Sequence, residues 1–177
     1  MILERGKLDI KEIVVQTRLG SDLKNRQNWD KIPQSYVKGF LKAFERFMRD
    51  KYTKQVNKES GIYNCHGLTF GSRRTNLEDI EVNKILEEDC YEEVTGDQVI
   101  EGDVAIYIAY DGVIHSGIVI KIIEGEGINI KKPLILSKWG IMGEFVHSFD
   151  CCPYVEQSNN IIYYRIRNEK RNRKHST

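Results

Sequence analysis

Gly102-Asp103-Val104-Ala105-Ile106-Tyr107-Ile108-Ala109-Tyr110-Asp111-Gly112-Val113-Ile114-His115-Ser116-Gly117-Ile118-Val119 holds the two apolar runs that set the fold. Val99 to Ile108 reads as a turn into a buried strand, with Gly102 and Asp103 at the corner. Tyr110-Asp111-Gly112-Val113 carries the Asp-Gly pair that favours a tight antiparallel turn, so Ile114 to Ile123 is predicted to return beside the first run. Two glycines between Glu124 and Asn129 mark another turn. Pro133 to Ser137 then gives a third strand and Ile161 to Ile166 a fourth.

Working outward toward the N-terminus, the periodicity changes. Tyr36, Val37, Phe40, Leu41, Phe44, Phe47 and Met48 recur at helical spacing between Ser35 and about Tyr52, and Lys38, Lys42, Glu45, Arg46 and Arg49 take the opposite side. Pro33 precedes this amphipathic helix, and a polar loop, Lys51 to Gly61, follows it. Short helices are predicted from Cys65 to about Arg73 and from about Leu77 to Asp89. The latter turns Ile80, Val82, Ile85 and Leu86 inward. N-terminal helices packed on an antiparallel β-sheet define an α+β domain. Residues 1–30, with a strand-like run from Ile10 to Val15, read as a peripheral arm. Residues 168–177, with Lys170, Arg171, Arg173 and Lys174, read as a flexible basic tail.

At 177 residues the chain fits one domain, taken here as 1–167. A net charge of +1 gives no global attraction to nucleic acid or to a membrane surface, so nucleic acid is an unlikely partner. No run approaches the ~20 apolar residues of a membrane span. Met1-Ile2-Leu3-Glu4-Arg5 reaches charge before a signal-peptide core could form. The expected location is cytoplasmic, with no membrane partner. Cys65, Cys90, Cys151 and Cys152 show no disulfide framework, which fits the same compartment.

Tyr63-Asn64-Cys65-His66-Gly67-Leu68 sets a cysteine where a helix begins, and Val113-Ile114-His115-Ser116 sets a histidine where a strand begins. A thiol becomes a strong nucleophile when a nearby imidazole takes its proton, so Cys65 and His115 are the candidate nucleophile and base. The Cys65 amide, at a helix start, could donate to an oxyanion, with Tyr63 or Asn64 as side-chain helpers. Adjacent side chains on a helix diverge by about 100 degrees, so His66 is read as packing or substrate-side rather than as a partner of Cys65.

Asn64-Cys65-x-Gly67-Leu68, Gly102-Asp103-Val104 and His115-Ser116-Gly117-Ile118-Val119 together resemble the papain-like fold in its compact NlpC-type branch, over roughly residues 61–147. The resemblance implies a cysteine helix packed on an antiparallel sheet and a hydrolase that cleaves a peptide or other amide bond (peptidase, amidase or deamidase). An acyltransferase is a less favoured variant, and a catalytically inactive binding module is the alternative.

In that branch a polar residue, often histidine, on the strand after the histidine strand orients the imidazole. Pairing Ile114 to Ile123 with about Lys131 to Lys138 sets position 115 opposite 137 or 138, which points to Ser137. Leu136-Ser137-Lys138-Trp139-Gly140 followed by Gly143-Glu144-Phe145-Val146-His147 resembles a signature of uncharacterised bacterial members of this superfamily. That makes His147 the rival orienter, reached if the chain folds back over the site. Lys138 and Trp139 are candidates to line a substrate groove. The potential metal ligands Cys65, His66, Cys90, His115, His147, Cys151 and Cys152 show neither Cys-x-x-Cys nor His-x-x-x-His spacing, so no metal and no other cofactor is expected.

Overall fold

The computed structural model describes residues 11–27, 34–125 and 131–167. Ile10, Pro33 and the predicted tail 168–177 lie outside them. In chain order the elements are β1 (Asn25–Arg26), α1 (Gln34–Met48), β2 (Lys54–Asn57), α2 (Cys65–Thr69), β3 (Asn76–Leu77), α3 (Glu81–Glu88), β4 (Tyr91–Val94), β5 (Val104–Ala109), β6 (Gly112–Glu124), β7 (Lys131–Lys138), β8 (Glu144–Ser148) and β9 (Asn160–Ile166). Seven strands form one sheet in the order β2-β8-β7-β6-β5-β9-β4, every neighbouring pair antiparallel. The class is therefore α+β.

Alternation along β5 separates two apolar layers. Ala105 and Tyr107 join Val37 and Phe47 of α1, whereas Val104 and Ile106 join Val82 and Leu86 of α3. The apolar stripe predicted for α1 covers the first face. Phe44 and Phe47 meet the Trp139 ring edge-on at 6.0 and 6.4 Å, a favoured aromatic geometry. The Gly102-Asp103 corner is pinned by charge as well as by turn geometry. Gly102 has φ +95, and the buried Asp103 receives a two-pronged hydrogen bond from Arg165 of β9, at 2.7 and 2.8 Å.

A bulge decides where His115 points. Tyr107 pairs with His115 and Ile108 with Val113, which leaves Ile114 as an extra residue in β6. In a regular strand Val113 and His115 would share a face. Here Val113 packs in the α3-side cluster, while His115 stacks on Tyr154 and meets Tyr107 edge-on, both within the α1-side layer. The bulge turns the histidine across the sheet.

Several predicted features shift. Ser137 pairs with Gly117, two positions beyond the predicted register, so it does not lie opposite His115. The cysteine helix ends at Thr69 instead of Arg73, with Ser72 and Arg73 at positive φ in the turn that follows. The second short helix starts at Glu81, because Asn76 and Leu77 pair with β1. The predicted loop 51–61 contributes the edge strand β2, and β4 and β8 are further strands that the apolar pattern does not mark. In the arm, Lys11 and Gln16 make single bridges to Gln27 and Asp22 instead of a continuous strand.

α2 sits close to neighbouring backbone. A Cβ at Gly67 would lie 1.8 Å from the carbonyl oxygen of Thr75, whereas one at Gly39 of α1 would meet nothing within 4 Å. Gly67→Ala is expected to lower stability by about 3 kcal/mol, since rigid backbone must move to admit the methyl group. Gly39→Ala should raise it by up to about 1 kcal/mol through helix propensity. Thermal unfolding of both variants checks the contrast.

Candidate functional site

Cys65 opens α2, and the residues before it are fastened on several sides. The Asn64 side chain accepts from the Gly67 amide at 2.9 Å and from the Leu77 amide at 3.1 Å, and it donates to the Leu77 carbonyl at 2.7 Å. It is an N-cap that also ties α2 to β3, so its amide is committed and does not serve as an oxyanion helper. The Tyr63 hydroxyl donates to Glu144 at 2.6 Å, which commits that group too.

Glu144 is the hub of this anchorage. Its buried carboxylate receives Arg73 Nε at 2.6 Å and Nη2 at 3.1 Å, Asn57 at 2.9 Å, and Tyr63. Burial alone would raise its pKa, but the hydrogen bonds from Arg73, Tyr63 and Asn57 outweigh burial and hold the carboxyl below its ordinary range. Lys138 stands directly opposite on β7. Its buried ammonium donates to the carbonyls of Ser60, at 2.6 Å, and Gly140, and it lies 5.1 Å from the Tyr63 ring centre. Burial lowers the ammonium pKa to about 8 against the opposing pull of Cys65 and Glu144. Lys138 is thus a buried tie for the loop that precedes the cysteine, not a groove-lining contact.

Two imidazoles bear on the thiol. Burial disfavours the Cys65 thiolate, but His66 and then His115 outweigh it, and the thiol is held well below its ordinary value. α2 is only five residues long, so its dipole adds little beside them. His66, read from the sequence as packing or substrate-side, is fully buried and also bears electrostatically on the thiol. Its buried ring places Nδ1 2.8 Å from Ser116 Oγ and Nε2 3.0 Å from Asp79. Burial lowers its pKa, yet Cys65 and the Asp79 hydrogen bond raise it further, to about 9. The signal in the sequence is Asp79, thirteen positions downstream, reachable only once the chain has turned back through β3.

His115 is completely buried, and neither of its ring nitrogens has a hydrogen-bond partner. The ring is held by stacking instead, 3.9 Å and 10° from Tyr154, with Tyr107 edge-on at 5.2 Å. Neither predicted orienter is bonded to it. Ser137 and His147 bond each other at 2.7 Å, and His147 Nδ1 donates to the Ser148 carbonyl at 2.8 Å. That carbonyl fixes the proton on Nδ1, so Nε2 accepts from the Ser137 hydroxyl. His147 reaches this position as a strand residue of β8 paired with Ile135, not by a loop folding over the site. Trp139, predicted to wall a groove, is fully buried in the α1-side core and stacks on Phe145 at 4.2 Å.

Exposure separates the four predicted catalytic residues: Cys65 is 8% exposed, and His115, Ser137 and His147 are 0%. A polar pocket bordered by Asn64, Asn76, Glu78 and Asp79 lies on the side of α2 where Asp79 meets His66. One further cluster joins this neighbourhood: His115, His147 and Cys152 each bring one ligand atom within 4.8 Å of the others. Both His147 nitrogens are already engaged, so a metal there would first have to displace the Ser137 hydroxyl. All four cysteines are free. Among the described residues no helix is long and apolar enough to cross a membrane. No family model, curated protein or solved structure matches the chain.

The buried His147 makes stability depend on pH. Burial lowers its pKa from the ordinary 6.5 to about 3, so the unfolded chain binds a proton that the folded one refuses. Its contribution is complete above pH 6.5 and is lost as pH falls toward 3. His147→Gln should therefore flatten the decline of the melting temperature over that interval. A slope equal to that of the parent would contradict this source of acid sensitivity.

Proposed function

We propose that the protein is a papain-like thiol hydrolase of the compact NlpC type that cleaves a peptide or other amide bond. One observation carries this reading. The Cys65 thiol at the start of α2 is held well below its ordinary value by His66 and His115, and the ring nitrogens of His115 have no hydrogen-bond partner.

The chemistry follows from that pairing. His115 takes the Cys65 proton, and the thiolate attacks the carbonyl carbon as the Cys65 amide, which has no intrahelical acceptor, donates to the oxyanion. The protonated His115 then gives its proton to the departing amine, leaving a thioester on Cys65. In the second half His115 takes a proton from water, the resulting hydroxide attacks the thioester, and the proton returns to sulfur. Stacking on Tyr154 does the positioning that a third hydrogen-bonding residue performs elsewhere.

The absence of a hydrogen-bonded orienter on His115, among the described residues, favours a second reading: a binding module that keeps the fold without turnover. Amine release from a panel of peptides and of glutamine and asparagine side-chain amides separates the two. The hydrolase reading expects turnover that falls at least about a thousandfold in Cys65→Ser and in His115→Ala. Binding of such ligands without release, unchanged in Cys65→Ser, would favour the binding module.

A further inference from the structure

The hydroxyl network beneath α2 determines the protonation of His66 from geometry. Thr69 Oγ1 lies 2.9 Å from the Cys65 carbonyl, which only accepts, so the single Thr69 proton is spent there. Ser116 Oγ, 3.0 Å from Thr69 Oγ1, must then donate to it, and the single Ser116 proton is spent as well. The remaining contact, His66 Nδ1 to Ser116 Oγ at 2.8 Å, is filled only if Nδ1 carries a proton. On the other side of the ring Nε2 faces the Asp79 carboxylate at 3.0 Å, which requires a proton on Nε2. Both nitrogens are donors, so the ring is an imidazolium, completely buried on the residue that follows the cysteine.

We propose that, within the thiol-hydrolase reading above, His66 is a positioning residue: an imidazolium, locked by Asp79 and Ser116, that stabilises the Cys65 thiolate while His115 moves the proton. Thiolate stabilisation and proton transfer are then divided between two rings. His66 cannot act as the base, because both of its lone-pair positions already carry protons. His115 can, because neither of its nitrogens is engaged. The other ionisable groups bearing on Cys65 are Lys138 and Tyr154. The Lys138 ammonium is directed at the Ser60 and Gly140 carbonyls, and Tyr154 is a neutral ring stacked on His115. Those bearing on His66 are Asp79 and Cys65.

The experiment is the pH dependence of iodoacetamide alkylation at each cysteine, read by mass spectrometry, in the parent protein, His66→Gln, Asp79→Asn and His115→Ala. His66→Gln should raise the midpoint for Cys65 by one pH unit or more, which slows alkylation about tenfold below the parent midpoint. Asp79→Asn should shift it the same way by less. The Asp79 side chain is 64% exposed, so this variant keeps the test alive should the buried substitution prevent folding. Long-range nitrogen-proton NMR should show both His66 nitrogens protonated at pH 7.5. If both variants alkylate with the parent profile while His115→Ala raises the midpoint, the inference fails and the Cys65–His115 reading stands. If Cys65 of the parent protein reacts no faster than Cys90 and Cys151, the hydrolase reading itself fails.

Discussion

A chain of hydrogen bonds from Asp79 through His66, Ser116 and Thr69 to the Cys65 carbonyl joins the helix that carries the thiol to the strand that carries His115. Ser116 and His115 are adjacent in β6, so the position of His115 relative to Cys65 is tied to hydroxyls whose donor protons are all used. A buried polar network of this kind favours one arrangement strongly, because any displacement leaves a donor or acceptor unpaired in low dielectric. The bulge at Ile114 completes the geometry by setting which face of the sheet His115 takes, and Ser116, its neighbour, takes the other.

Around this chain the protein buries more charge than a small domain usually accepts. Glu144, Lys138 and His66 are at most 1% exposed, and each keeps its charge through directed partners. Glu144 draws Tyr63, Arg73 and Asn57 onto β8, while Lys138 draws in the Ser60 and Gly140 carbonyls. Both ties close on the segment just before Cys65. Removing one partner of such a set costs a few kcal/mol, because the remaining charge stays buried. The loop that presents the thiol is thereby fastened to β7 and β8.

Much of this is legible in the sequence, and the omissions share a cause. The Gly102-Asp103 corner, the Asp111-Gly112 turn and the α1 stripe follow from local periodicity and turn chemistry, which one strand or helix settles alone. The registers do not. Position 137 pairs with 117 because Ile135 and Ser137 close over a glycine: a Cβ at Gly117 would lie 2.4 Å from Ile135 Cγ2. Such packing is invisible in a pattern of apolar and polar letters. β8 escapes that pattern because its polar residues, Glu144, His147 and Ser148, are buried, Glu144 against partners distant in sequence. The pairing of His66 with Asp79 is hidden in the same way, since each looks like an isolated polar residue until β3 turns the chain back.

The central claim is that Cys65 forms a covalent acyl intermediate with His115 as proton carrier. Mass spectrometry of the intact protein and its peptides, after brief exposure to an activated ester such as p-nitrophenyl acetate at pH 7, tests it whatever the natural substrate is. The account predicts one acetyl group, borne as a thioester on Cys65, lost on standing in water and absent in His115→Ala. Acetylation spread evenly over Cys65, Cys90 and Cys151, or retained on Cys65 when His115 is replaced, would contradict it.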